Sequence, residues 1–433
     1  MLARQLGTIC TKDLWTTNNK GRDEVKAIST ILTFVFVLLV PELAVASTGG
    51  NYINLTSHWV GYASLAVFVL AYVFVMAEEF THLRKSKPVI LAAGIIWAMI
   101  AAVYASEGFT QEAEQAVRHN FLEYTELMLF LLVAMTYINA MEERLVFDAL
   151  RSWLIRRGYG FRKLFWMTGI LAFFISPVAD NLTTALLMCA VVMAVGGTNK
   201  KFIGLACINI VVAANAGGAF SPFGDITTLM VWQKGIVDFW EFFALFIPSL
   251  VNFIVPAAIM HFSITDEKPD ASDEMVGMKR GAKRIIILFL LTITTAVCFH
   301  NFLHLPPVIG MLTGLAYLQF FGFYLKKTHY KSRSNIPYSD SRPGDVVPFD
   351  VFNKIARAEW DTLLFFYGVV LCVGGLGFIG YLSMASELMY EQWGPTSANI
   401  AVGVLSAIVD NIPVMFAVLT MQPDMFQGQW LLV

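Results

Sequence analysis

Long apolar stretches dominate this chain and restrict its fold. A helix needs about 20 apolar residues to cross the hydrocarbon core of a membrane. Seven stretches provide such a run without interruption: residues 59–77, 89–105, 121–141, 238–262, 285–303, 306–325 and 361–385. Hydrophobic residues make up 57% of the sequence and charged residues 14%, which excludes an ordinary soluble domain. Because backbone polar groups must be paired within lipid, the sequence predicts an all-α, polytopic transmembrane helical bundle.

Three further apolar stretches carry polar interruptions. Asp180-Asn181 interrupts residues 164–197, and Asp410-Asn411 interrupts residues 395–421. The stretch 202–234 is broken by the segment from Gly217 to Asp225. Half-length apolar segments that meet at polar residues are typical of transporters, so we predict two re-entrant hairpins and a discontinuous helix.

The distribution of Lys and Arg predicts how these segments are oriented. Short cytoplasmic loops are rich in Lys and Arg, and basic residues flank both ends of hairpin 164–197. Hairpin 395–421 instead follows an acidic loop with Glu387 and Glu391, so it should enter from the outer face. Two hairpins of opposite orientation predict inverted repeats whose two motifs meet near the midplane of the membrane. The repeats would span residues 55–264 and 285–433, joined by a basic cytoplasmic linker, 265–284.

Both ends of the chain lead to expectations of their own. Residues 1–46 resemble a signal peptide cleaved after Ala46, with a retained extra N-terminal helix or an upstream start as alternatives. In the first repeat, the Gly-Gly break begins 37 residues after Asp180, and the same interval after Asp410 passes Val433. The second repeat is therefore expected to be truncated, and a protein that ends at Val433 is expected to transport poorly.

The two Asp-Asn motifs share one local pattern. Ser176 and Ser406 each precede the Asp by four positions, and an apolar residue follows each Asn. A carboxylate at membrane depth costs about 2.5–3.5 kcal/mol on insertion scales, so it needs a partner or a function. Two interpretations remain open at this point, a helix cap and a cation ligand, and the first does not exclude the second.

Other oxygen-bearing side chains lie near the first motif. They come from the hairpin and from the broken stretch: Thr183, Thr184, Asn215, Ser221, Asp225, Thr227 and Thr228. Carboxylate, amide and hydroxyl oxygens suit Na⁺ or Li⁺ better than transition metals. For Thr183 and Thr228, hydrogen bonding between neighbouring helices is an equal alternative.

Four residues form a second tier of candidates. Glu126 lies in an apolar stretch, where it would serve as a proton relay or form an internal ion pair. Asp361 and Thr362 open the helix before the second hairpin, and Asp361 would act in transport or cap that helix. His119 lies at an outer helix end, as a pH sensor or as an interfacial surface residue.

Three sequence segments resemble those of a known family. Residues 176–184 read SPVADNLTT, residues 215–228 read NAGGAFSPFGDITT and residues 406–413 read SAIVDNIP. These segments are similar to those of the NhaD-type sodium/proton antiporters of the ion transporter superfamily, with a resemblance running from about residue 55 to the end. The resemblance implies exchange of Na⁺ or Li⁺ for H⁺ across a bacterial inner membrane, with both Asp-Asn hairpins at the site.

Two other classes compete with this interpretation. Relatives that carry dicarboxylates have a neutral Ser-Asn-Thr signature at the hairpin tips, whereas this chain has Asp180-Asn181-Leu182 and Asp410-Asn411-Ile412. A sodium-coupled or uncoupled anion carrier of the same fold is therefore the first alternative. A membrane protein without transport activity is the second alternative, and it would not respond to Na⁺.

The expected mechanism is competition between a proton and a metal ion for the carboxylates of Asp180 and Asp410. No covalent chemistry is needed, so we expect a carrier rather than an enzyme, with Na⁺ or Li⁺ and H⁺ as cargo and no cofactor. The partners expected are the lipid bilayer and these ions. A net charge of −2 gives no basic excess for nucleic acid. Whether the chain forms a homodimer is left open by the sequence.

Overall fold

The structure, a computed structural model, describes residues 53–197, 199–265, 276–333, 349–407 and 409–431. Within these ranges it is helical and contains no strand, which confirms the predicted all-α fold class. The predicted signal peptide or extra helix, residues 1–46, lies outside the described residues, as does half of the linker.

Nine helical segments in the described part of the chain are long and apolar enough to cross a membrane. One begins with a 3₁₀ turn, Glu241–Leu245, and continues as α10. They are α1 Trp59–Met76, α3 Ser86–Ser106, α4 Thr110–Glu143, α6 Phe161–Ala179, α8 Lys200–Ala219, α10 Phe246–His261, α11 Ala282–Leu303, α12 Pro307–Arg333 and α14 Trp360–Ile379.

The remaining helices are shorter and connect or follow the long ones. They are α2 Glu78–Thr81, α5 Val146–Arg156, α7 Asn181–Gly196, α9 Ile226–Gln233, α13 Val351–Ala356, α15 Tyr381–Ser386, a π-helix Glu387–Gln392, α16 Pro395–Ser406, α17 Asn411–Met421 and α18 Gln427–Trp430.

The two Asp-Asn interruptions fall where the sequence predicts them, whereas the predicted break from Gly217 to Asp225 is shorter because residues 217–219 remain helical in α8. Asp180 separates α6 from α7, the segment 220–225 separates α8 from α9, and Asp410 directly precedes α17. However, α6 has 19 residues and α8 has 20, so each is long enough to cross rather than half-length. The predicted helix 361–385 ends earlier, because Gly380 takes the left-handed conformation (φ 113°) that closes a helix.

The buried apolar side chains form three separate cores. The first core joins α6, α7, α8 and α10 around Phe165, Phe173 and Phe253. The second core joins α4, α9, α11 to α14, α16 and α17, with Trp232 and Phe289 among its buried rings. The third core lies between α1, α3 and α14. The two arms of the broken helix thus belong to different cores, with α8 in the first and α9 in the second.

A close backbone approach holds α8 against α6. A methyl group on Gly217 would lie 2.2 Å from the backbone oxygen of Phe173, so only glycine fits there. Small residues permit such close packing between helices in lipid, where dispersion rather than water exclusion drives association. This contact brings the break in α8–α9 next to the tip of α6–α7.

Candidate ion-binding site at the helix breaks

The first Asp-Asn motif lies at the turn between α6 and α7. The Asp180 carboxylate accepts hydrogen bonds from the Thr183 N–H and the Thr183 hydroxyl, both at 2.7 Å. Asp180 therefore caps α7, as the capping interpretation predicts. Its backbone (φ 57°, ψ 158°) lies in a region that is strained for any residue other than glycine.

Asn181 joins this motif to the broken helix. Its N–H donates to the Gly224 oxygen at 2.9 Å. Its side-chain amide donates to Asn215 Oδ1 at 3.0 Å and to Asp225 Oδ2 at 2.6 Å. Asn181 thus places the carboxylates of Asp180 and Asp225 on one side of the hairpin tip.

The segment 220–225 is fixed by polar contacts on both sides. The Ser221 hydroxyl donates to the Pro177 oxygen at 2.8 Å, and the Thr228 hydroxyl donates to the Ser221 oxygen at 2.9 Å. Asp225 caps α9 by accepting from the Thr227 N–H at 3.0 Å. The hydroxyl of Thr228 bonds within the broken segment, and that of Thr183 bonds within its own motif. Within the described residues neither hydroxyl bonds to a neighbouring helix.

Two further predicted residues have distinct surroundings. Ser176 is fully buried and its hydroxyl donates to the Ala214 oxygen of α8 at 2.6 Å, so it attaches the hairpin to the broken helix. Thr184 is also fully buried, but its hydroxyl has no hydrogen-bond partner among the described residues. Thr184 thus offers a free oxygen one helical turn after Asp180, in α7.

The charge of this first cluster is uncompensated. Asp225 is bonded to the side chain of Asn181, the residue that follows Asp180, so two carboxylates belong to this cluster. In the described part of the chain neither forms an ion pair. The N-terminal ends of α7 and α9 contribute partial positive charge, but each is equivalent to only about half an elementary charge. A cation or a proton would complete the balance.

The second Asp-Asn motif is built differently. Asp410 caps α17 with a long contact of 3.4 Å to the Ile412 N–H, and the Ser406 hydroxyl donates to Asn411 Oδ1 at 2.7 Å. The Asp410 carboxylate forms an ion pair with Lys85 at the start of α3, with Nζ and Oδ2 3.5 Å apart. A cation from the protein therefore already faces this carboxylate.

The two motifs approach each other without direct contact. Asp410 lies within electrostatic range of Asp225. No hydrogen bond joins the tips of the two hairpins among the residues that the structure describes. Within the same residues no group of three acidic, His or Cys side chains is close enough to hold one metal ion. A single site shared by Asp180 and Asp410 stays a prediction.

Asp361 and Thr362 lie in the first turn of α14. The Asp361 carboxylate accepts from the Ser86 hydroxyl at 2.5 Å instead of capping its own helix. Thr362 donates to the Glu359 carboxylate at 3.2 Å. Asp361 is thus joined to the start of α3, where Lys85 also lies, and its role in transport stays a prediction.

Glu126 lies in a cavity of about 60 Å³, separate from both motifs. This volume holds about four water molecules. Glu126 makes no hydrogen bond or ion pair with the described residues, whereas its neighbour Glu123 pairs with Lys234. The cavity is lined by residues of α4, α9, α14 and α17: Glu123, Glu126, Leu127, Met230, Gln233, Lys234, Val370, Phe416 and Leu419. The predicted internal ion pair therefore belongs to Glu123.

His119 lies outside this cavity. Its side chain is 71% exposed, and Nε2 lies 2.9 Å from the Glu123 carboxylate. The surface interpretation therefore describes its position, although the contact with Glu123 connects it to the wall of the cavity.

Sequence reasoning missed two charged residues that the fold brings to these places. Lys85 lies between the basic residues Arg84 and Lys87 in the sequence, and its residue type does not distinguish it from them. Its position directly before an apolar helix is the only signal that sets it apart. Glu123 was missed although it lies one helical turn from Glu126, a spacing that places both on the same face of α4.

Comparison with known proteins gives consistent matches. The family described as citrate transporter matches residues 63–433. The Na⁺/H⁺ antiporter NhaD of Vibrio cholerae is 61% identical over 93% of this chain and 86% of its own length. The NhaD antiporter of Alkalimonas amylolytica is 62% identical over 88% of this chain and 81% of its own. Sodium/proton antiporter 1 of Arabidopsis thaliana is 29% identical over 88% of this chain.

Proposed function

Because the chain belongs to the citrate transporter family and, among its members, to the NhaD antiporters, we propose that it exchanges Na⁺ or Li⁺ for H⁺ across a bacterial inner membrane. The chain is a multi-pass membrane protein of the secondary-transporter kind. The transported ions are its substrates.

The observation that supports this proposal best is the uncompensated pair of carboxylates at the first hairpin tip. Asp180 and Asp225 lie near each other among hydroxyl and amide oxygens, without a cationic side chain among the described residues. Charges within a membrane protein are costly unless they are paired, so this cluster favours an occupant of positive charge. Either a metal ion or a proton fulfils that condition.

The exchange follows from mutual exclusion. A carboxylate oxygen that coordinates Na⁺ cannot keep a proton, so each ion displaces the other. If the cluster faces the two sides of the membrane in turn, loading with Na⁺ on one side and with H⁺ on the other gives antiport. We propose Asp180, Asn181, Thr183, Thr184, Asp225 and Thr228 as the surroundings of this ion, with Asp410, Asn411 and Ser406 as the second half of the pathway.

The proposed orientation rests on the basic loops. Hairpin α6–α7 would open to the cytoplasm and hairpin α16–α17 to the outer side, as the two members of an inverted repeat. An antiporter built in this way can expose the same carboxylates to either face without large changes within each repeat.

Transport of an anion is the weaker alternative, in spite of the description of the wider family. Citrate and other dicarboxylates would approach Asp180, Asp225 and Asp410, and like charges repel strongly where water is excluded. The tips of both hairpins would therefore have to be neutralised before such a substrate could bind.

Everted membrane vesicles test the proposal. In vesicles that carry the product of the full-length gene, addition of Na⁺ or Li⁺ should dissipate a preformed proton gradient, and Asp180→Asn or Asp410→Asn should abolish this response. Asp238→Asn, an exposed aspartate beyond α9, should leave the response unchanged. Exchange retained in both hairpin variants, or uptake of labelled citrate by the unmodified protein, would contradict the proposal.

A further inference from the structure

Lys85 occupies an unusual position for a residue of a basic loop. It directly precedes α3, and its ammonium group lies 4.4 Å from the centre of the Phe365 ring, a fully buried side chain of α14. On its other side lies the Asp410 carboxylate, at 3.5 Å. An aromatic face and a carboxylate thus hold the cation between them.

The ion pair between Lys85 and Asp410 is not a tight one. Charge-assisted hydrogen bonds between ammonium and carboxylate groups are about 2.7–2.9 Å long, so the 3.5 Å separation leaves room between the two groups. The side chains of Lys85 and Asp410 are 29% and 31% exposed, which gives the ammonium group access to water if it leaves. Lys354 offers a contrast, because its side chain is only 5% exposed in its pair with Glu143.

From this geometry we propose that Lys85 is a tethered cation that occupies the Asp410 carboxylate in the absence of the transported ion and must be displaced when that ion binds. The inference rests on the proposed cation exchange and adds a positioning residue to it. A lysine ammonium is a compact charge on a flexible stem, so it can leave the carboxylate without any movement of the backbone. Competition with Lys85 would lower the affinity of Asp410 for Na⁺ and allow release.

The remaining polar groups around Asp410 fit this role. The Tyr72 hydroxyl is buried, has no hydrogen-bond partner among the described residues and lies within electrostatic range of Asp410, so it offers an oxygen to an incoming cation. Asp361 is already engaged by the Ser86 hydroxyl and does not bind Lys85. Asp225 lies at the start of α9, a helix that packs against α17, so it adds negative charge and favours a cation of either kind.

Two substitutions of Lys85 should act in opposite directions. Lys85→Gln removes the competing charge and should lower the Na⁺ concentration for half-maximal exchange by about ten-fold, since the attraction within a partly exposed pair is of that order. Lys85→Arg should raise this concentration several-fold, because a guanidinium pairs with a carboxylate through two parallel bonds and leaves it less readily. Lys87→Gln, at an exposed position in the first turn of α3, serves as the matched control.

The measurement combines exchange in everted vesicles with Na⁺ titration of the thermal unfolding midpoint of the purified full chain. A purely structural role for Lys85 would reduce the maximal rate or the stability without changing half-saturation by Na⁺, and that result would overturn the inference. A higher half-saturation concentration in Lys85→Gln would overturn it as well. Absence of Na⁺-dependent proton flux in the unmodified protein would instead contradict the proposed function, so the two failures are distinguishable.

Discussion

Asp180-Asn181 and Asp410-Asn411 occupy the same place in two similar stretches of sequence, yet their neighbours differ. The first motif is fixed to the broken helix by the bonds of Asn181 to Gly224, Asn215 and Asp225. The second has a local bond between Ser406 and Asn411 and an ion pair with Lys85. This difference shows that the repeated motif specifies the helix cap, whereas the surrounding helices determine which charge faces the Asp carboxylate.

The two aspartates also differ in their backbone conformation. Asp410 has ordinary extended dihedral angles (φ −60°, ψ 136°). Asp180 has a positive φ of 57°, and such a residue persists only where its surroundings impose the conformation. The hydrogen bonds around the first tip therefore hold Asp180 in a strained conformation. Asp410, at the second tip, is not strained.

The largest expected effect on stability concerns Gly217, because its close approach to the Phe173 backbone supports only the first motif. Gly217→Ala should lower the free energy of unfolding by about 3 kcal/mol, because the added methyl group overlaps the Phe173 backbone. Gly403→Ala in α16, where nothing lies within 4 Å of the new methyl group, should change it by less than about 1 kcal/mol. Thermal unfolding of the purified variants measures both, and equal losses would remove the contrast between the hairpins.

The asparagines should differ by a smaller amount. Asn181→Ala should cost about 2 kcal/mol, because the Asp225 carboxylate loses its donor. Asn411→Ala should cost less than about 0.5 kcal/mol, since its side chain is exposed and bonds only Ser406. Chemical or thermal unfolding compares the two variants. A larger loss for Asn411 would reverse the comparison.

The aspartates should respond to glycine with opposite signs. Asp180→Gly should be more stable than Asp180→Asn by about 1.5 kcal/mol, because glycine tolerates the positive φ. Asp410→Gly should be less stable than Asp410→Asn by about 0.5 kcal/mol, since glycine loses more backbone entropy in an ordinary conformation. Unfolding midpoints of the four variants test these signs, and a lower stability of Asp180→Gly than of Asp180→Asn would show that Asp180 is not strained.

The serines of the shared pattern should show the smallest difference. Ser176→Ala removes a buried bond to the Ala214 oxygen and should cost about 1 kcal/mol. Ser406→Ala removes a bond to an exposed side chain and should cost less than about 0.5 kcal/mol. Double variants with Asn181→Ala and Asn411→Ala sharpen this test, because only the first pair contacts α8 from two sides. Additive losses in the first pair would show that its bonds act independently.

Much of the fold could be predicted from the sequence. Apolar stretches specify membrane helices because lipid leaves the backbone no other way to pair its polar groups. The Asp-Asn pairs and the Gly217–Gly218 segment indicated the breaks, since Asp and Asn cap helices and a polar residue in lipid interrupts an apolar run. Helix lengths were less accurate, because α6 begins among residues of the preceding basic loop, at Phe161, and α14 ends at a glycine that the apolar pattern passes over.

The partners of the candidate site could be predicted only in part. Asp180, Asn181 and Asp225 share one region of sequence, and the oxygen-rich segment near them was recognisable. Lys85 is separated from Asp410 by most of the chain, and the packing of both α3 and α17 against α14 brings the two together. Because a loop lysine and a buried counter-ion have the same chemistry, no local pattern distinguishes them. The same reasoning applies to Glu123 and Lys234.

The division of the broken helix between two cores has a mechanical consequence. Helix α8 is packed with the first hairpin, and α9 is packed with the second hairpin and α4. Any displacement of one core relative to the other must be taken up by the six residues 220–225, the covalent hinge at which α8 passes into α9. Asp225 closes that hinge by capping α9 and also accepts a hydrogen bond from Asn181, so any movement of one core against the other would act directly on this bond.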